Sequence, residues 1–127
     1  MAIKNALNEQ QISDYSKSYD YTLKCLEESK RKLEKLNEDP TKINEDDFHD
    51  NETEIGELDQ KIALVKSKKI AFDRNEHSIN PPSTQQLDSL KGLMTKVERL
   101  TANQAIATEI VRLSTDALTE FNNIHSD

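Results

Sequence analysis

Glycine and proline are nearly missing from this chain, at 2 and 3 residues in 127. Together they make up about 4%, against roughly 12% in an ordinary domain, which leaves too few punctuators for β-sandwiches, Rossmann folds and other turn-rich architectures. Cysteine occurs once, as Cys25, so no disulfide can close within the chain and nothing argues for an oxidising compartment. No run of about 18 apolar residues is present to span a membrane. The opening Met1-Ala2-Ile3-Lys4-Asn5-Ala6-Leu7 lacks the apolar stretch of a secretory signal. These absences predict a cytoplasmic protein. Leu, Ile, Val and Phe are also few, at 29 residues. That share is only just above the level at which highly charged chains stay unfolded.

What is present is charge in a helical rhythm. Charged residues make up 32% of the chain, and 24 acidic against 17 basic side chains leave a net charge of −7. Three long amphipathic patterns follow one another, over about residues 8–38, 44–76 and 83–123. The first opens at Asn8 with Gln11 three residues on, a capping-box spacing, and Leu7 with Ile12 is placed to staple it. Ile12, Tyr15, Tyr19, Thr22, Leu26, Ser29, Leu33 and Leu36 then alternate three and four apart, until Pro40 forbids continuation.

The second pattern starts at Asn44 or at Asn51, of which Asn51-Glu52-Thr53-Glu54 is the better capping box, and runs along Phe48, Ile55, Leu58, Ile62, Val65 and Phe72. Ala63, Leu64 and Ile70 are expected to broaden that seam. The third opens at the capping box Ser83-Thr84-Gln85-Gln86 and meets no breaker stronger than Gly92. Its seam (Leu93, Val97, Leu100, Gln104, Ala107, Val111, Ser114, Leu118, Phe121) is flanked by enough further apolar residues to touch two neighbours. The expected architecture is all-α: one helical domain over 1–127, an antiparallel up-down-up three-helix bundle with coiled-coil-like packing. Its long C-terminal helix, roughly 60 Å, would serve as the spine.

Charge is unevenly spread. Residues 39–59 hold 1 basic and 9 acidic side chains, whereas 60–79 hold 5 basic and 2 acidic. An antiparallel hairpin would set Lys30, Arg31, Lys32 and Lys35 beside the acidic start of helix two, and Glu9, Asp14 and Asp20 beside Lys66, Lys68, Lys69 and Arg74. Helix two also runs from acidic to basic, as its dipole favours. Even after such pairing an acidic surplus is left at the first connection.

The chemistry-bearing residues do not assemble into a known constellation. Asp46, His49 and Asp50 share helical spacing, yet no EF-hand glycine follows and no Glu-x-x-His occurs, so no metal site is expected. Cys25 has only His49, His77 and His125 as possible partners, and there is no Gly-x-Ser-x-Gly, phosphate-cradling loop or Cys-x-x-Cys. We therefore expect neither an enzyme nor a cofactor. A sequence pI near 5 argues against nucleic acid as partner, and acidic or mixed polar faces argue against an anionic membrane surface. Tyr21 lies off the first seam and is a candidate exposed contact. The expected function is binding of another protein with a basic surface, in the manner of an inhibitor, an immunity-type neutraliser or an escort (chaperone). Asp46, Asp47, Asp50, Glu52 and Glu54 would make the contact. The alternative is a structural self-assembler, a homo-oligomer in which a second copy covers the wide face of helix three.

Overall fold

The computed structural model describes residues 6–76, 80–100 and 107–125. Among them are four α-helices and no strand: α1 Glu9–Leu36, α2 Glu45–Asp73, α3 Thr84–Arg99 and α4 Ala107–His125. Each of the first three begins where a side chain can satisfy its free amides. Asn8 Oδ1 accepts from the Gln11 amide at 2.8 Å while Gln11 Oε1 accepts from the Asn8 amide at 3.0 Å. Ser83 and Gln86 form the same reciprocal pair. Of the two candidate caps for α2, Asn44 is the one used, accepting from the Asp47 amide at 2.8 Å. Asn51 instead lies buried inside the helix, where its amide donates to Asn37 Oδ1 at 3.0 Å. Asn37 in turn donates to the Phe48 carbonyl at 3.1 Å. Those two bonds pin the start of α2 to the end of α1, across a short 3-10 turn at Pro40–Lys42.

The all-helical expectation holds, and its three-helix form does not. The segment expected to be one helix over 83–123 is two, because α3 ends at Arg99 with Leu100 in extended backbone. The physical reason is length. A helix of about 40 residues would overrun the 28- and 29-residue helices beside it and leave its wide apolar face in water. Folded back, Leu90 and Val97 of α3 and Ile110, Leu113, Ala117 and Phe121 of α4 are all buried within one chain. The order is thus up-down-up-down. Lys32 near the end of α1 donates to the Leu100 carbonyl at 2.7 Å, so α3 runs alongside α1 in the same sense. His125 at the end of α4 reaches Ser18 and Tyr19 near the start of α1, so α4 runs against it. Gln104, assigned to the third seam, Ile106 beside that seam, and His77 lie outside the described residues.

The spine is α1, which packs against all three other helices, whereas α2 and α4 meet along only a short stretch. Its buried side includes Ser18, Thr22, Cys25 and Ser29 among Tyr15, Tyr19, Leu26 and Leu33. Small side chains let neighbours approach from two directions. Their hydroxyls are satisfied locally: Ser18 donates to the Tyr15 carbonyl, Thr22 to that of Ser18 and Ser29 to that of Cys25, at 2.7 to 2.8 Å. On α2 the buried residues are Asn51, Leu58, Ile62, Val65 and Phe72. Leu64 and Ile70, expected to broaden this seam, point outward and are 47% and 52% exposed. They lie on the far side of the helix, where α2 has no neighbour among the described residues.

Candidate protein-binding surface

The five acidic residues singled out in the sequence occupy the first turns of α2, and the fold divides them. Asp47, Asp50 and Glu54 stand three and four residues apart, so they share one flank. That flank faces the start of α4. Together with Asn51, Thr53, Ala107, Thr108 and Val111 they line an open groove of about 310 Å³. Asp46 and Glu52 are exposed outside it. One wall of the groove is therefore carboxylate and the other is small and apolar.

Local structure fixes these carboxylates to different degrees. Asp47 is held by the cap, its Oδ2 accepting from Asn44 Nδ2 at 2.9 Å. Glu54 is partly buried, and its pKa is raised by that burial first and by the charges of Glu57 and Asp50 in addition, against the opposing pull of Lys61. A raised carboxylate pKa means that the folded state favours the protonated form more than the unfolded chain does. Glu54 therefore opposes folding increasingly as pH rises past its unfolded-chain pKa, in full above its folded pKa, and a cation placed in the groove would relieve that penalty. Beside the groove, Ile43, Glu45, Phe48 and His49 surround an apolar dimple of about 290 Å³, with His49 Nε2 3.6 Å from Glu45.

The expected neutralisation of this acidic end by the basic end of α1 is displaced along the hairpin. Lys30 pairs with Asp59 at 2.6 Å, Glu27 with Lys66 at 3.7 Å and Asp20 with Lys69 at 3.9 Å. Arg31 turns back to Glu28 on its own helix, whose carboxyl it holds below the usual range. Lys32 is drawn inward to the Leu100 carbonyl. Asp59 and not the groove acids thus receives Lys30, because the hairpin register sets Asn37, at the end of α1, beside Phe48 and Asn51 and leaves the first turn of α2 beyond the end of α1.

Other singled-out residues fall into plain places. Cys25 is fully buried, and burial pushes its thiol up to about 12. Tyr15 and Tyr19 are core, while Tyr21 is half-buried beside Gln10, Asp14, Lys17 and α3 residues. Asp46, His49 and Asp50 do not converge: among the described residues no group of three or more His, Cys, Asp or Glu side chains is arranged to hold a metal. No helix among them is long and apolar enough to cross a membrane.

Reading the sequence missed a buried polar cluster at the opposite end. His125 Nε2 lies 3.2 Å from Ser18 Oγ and its Nδ1 lies 3.4 Å from Tyr19 Oη, with the ring 4.2 Å from that of Phe121. Because Ser18 already donates to the Tyr15 carbonyl, its oxygen accepts from Nε2–H. The missed signal was the continuation of the α4 seam from Phe121 to His125, one helical turn later.

No family of known proteins, no curated protein and no solved structure matches this chain.

Proposed function

We propose that this chain is a protein-interaction module that captures a basic partner through the acidic start of α2, in the manner of an inhibitor or escort that masks a basic surface. The observation that carries the reading is the groove, with Asp47, Asp50 and Glu54 on one wall and Ala107, Thr108 and Val111 on the other. A lysine or arginine side chain needs both: apolar surface for its methylene stem and carboxylate for its head. Asp46 and Glu52, outside the groove, add long-range attraction that speeds encounter more than it holds the complex. The raised pKa of Glu54 supports the same reading, since like charges gathered without a cation are costly until one arrives.

The test uses a lysine- and arginine-rich octapeptide as probe, titrated into isotopically labelled protein. Amide shifts should concentrate at the start of α2 and the start of α4. Asp47→Asn, Asp50→Asn and Glu54→Gln together should weaken binding by about tenfold or more at low salt. Glu54→Gln alone should weaken it while leaving the fold as stable or slightly more so, by up to about 0.5 kcal/mol. Shifts spread evenly over every acidic side chain of the molecule would defeat the proposal.

A further inference from the structure

Helix α2 has a second face that the described residues leave uncovered. On the side away from Leu58, Ile62 and Val65 lie Gly56, Gln60, Ala63, Leu64, Ser67 and Ile70, all exposed. Their three- and four-residue spacing makes one stripe about four turns long, roughly 20 Å. It contains no charge, in a chain that is 32% charged, and it carries both of the large hydrophobic side chains exposed among the described residues. The outward side of α1, by contrast, presents Lys17, Asp20, Lys24, Glu27, Arg31 and Glu34.

Two independent features say what covers this stripe. The first is the charge along the length of α2, of which Asp59, Lys66 and Lys69 already pair with α1. Residues 45–59 of α2 hold eight acidic and no basic side chains, and residues 60–74 hold five basic and one acidic. A second α2 laid alongside in the same direction would set like against like, and one laid in the opposite direction sets acid against base. The second feature is Gly56. Its φ is not positive, and a methyl group at that position would meet nothing within 4 Å, so nothing in this chain requires glycine there. Gly92 has the same freedom but sits on a face with Asp88, Lys91 and Lys96.

We infer that the occupant is a second copy of this chain, bound antiparallel through α2 about a two-fold axis near Ala63. Both features then fall into register. Ile70, seven residues after Ala63, lies opposite Gly56 of the second copy, seven residues before it, and the missing side chain receives it. Helical geometry keeps Glu57 and Lys68 on the flank of the stripe nearer α4, where the half-buried Lys68 ammonium stands 5.6 Å over the Phe121 ring, and places Glu52 and Arg74 at the two ends of the stripe. In the antiparallel arrangement Glu57 meets Lys68 of the second copy, and Glu52 meets Arg74. An interface one short helix long lies at the small end of specific contacts, so the dimer is reversible, with a dissociation constant on the order of 10 µM. The groove of Asp47, Asp50 and Glu54 lies N-terminal to the stripe, on the flank that carries Lys68 about five turns after Asp50.

Sedimentation velocity from about 1 to 500 µM, a span that brackets this estimate, tests the inference. The unmodified chain should pass from monomer to dimer over that range. Ile70→Glu and Leu64→Glu should each hold it monomeric throughout, with helical circular dichroism unchanged because both positions are exposed. Glu57→Lys or Lys68→Glu alone should weaken the dimer about tenfold, and the two together should restore it, since each exchanged side chain again meets its opposite. In a Cys25→Ser background, Ala63→Cys should form a disulfide-linked dimer on mild oxidation, and Thr115→Cys on α4 should not. A monomer at the highest concentration overturns the inference. So does a dimer that survives Ile70→Glu, or one that the paired charge exchange fails to restore.

Discussion

Two tyrosines one helical turn apart show how finely this core distinguishes its polar atoms. Tyr15 and Tyr19 are both fully buried, and burial raises the phenol pKa of each. The Tyr19 hydroxyl lies 3.3 Å from the Lys68 carbonyl and 3.4 Å from His125 Nδ1. The Tyr15 hydroxyl is buried with no hydrogen-bond partner among the described residues. A satisfied buried hydroxyl contributes about 1 kcal/mol, whereas an unsatisfied one costs about 1–3 kcal/mol. The same substitution should therefore act in opposite directions. Tyr15→Phe is expected to stabilise the fold by about 1 kcal/mol, and Tyr19→Phe to destabilise it by a similar amount. Urea midpoints at constant slope measure both. The Tyr15–Phe72 ring contact at 4.9 Å survives the first change, which isolates the hydroxyl as the cause.

Among the elements, α2 is the one whose sequence departs from what folding alone would choose. An exposed glycine inside a helix costs about 1 kcal/mol against alanine, and at Gly56 a methyl group has open space. Gly56→Ala should raise the stability of the monomer by about 1 kcal/mol, read from thermal or urea unfolding at concentrations well below self-association. The helix starts were legible because a cap is a local matter of residue type and spacing: Asn8 with Gln11, and Ser83 with Gln86, act as read. The turn between α3 and α4 was not legible from the seam, since three-and-four spacing continues through 100–107 without proline or glycine. The one local hint was Thr101-Ala102-Asn103-Gln104, which has the spacing of a capping box. It lies outside the described residues. Periodicity reports which face is apolar and is silent on whether that face folds back on itself. The site shared this fate. The common flank of Asp47, Asp50 and Glu54 could be read from spacing, but the opposite wall of Ala107, Thr108 and Val111 depended on a reversal that spacing does not encode.

At the level of the whole molecule, the choice of spine decides where cooperativity resides. A long third helix as spine would have placed the most costly truncations in residues 83–123. With α1 in the middle, every other helix leans on it, and α2 and α4 barely support each other. Leu26 and Leu33 on α1 are fully buried, as is Leu90 on α3. Truncation to alanine removes similar transfer energy at each, about 2 kcal/mol or more, and adds a cavity term that grows where the surroundings cannot collapse. Around α1 three helices hold the walls apart, whereas α3, packed mainly against α1 and α4, can settle inward. Leu26→Ala is thus expected to cost about 4 kcal/mol and Leu90→Ala about 2–3 kcal/mol. For a domain whose total stability is on the order of 5–10 kcal/mol, the first loss should leave a substantial unfolded fraction near body temperature. Hydrogen exchange gives the complementary measurement. Amides in the middle of α1 should exchange only through global unfolding, and those in the outer turns of α2 through smaller openings. Equal costs at Leu26 and Leu90, or slowest exchange in α3, would place the spine elsewhere and with it the helix against which the acidic groove is held.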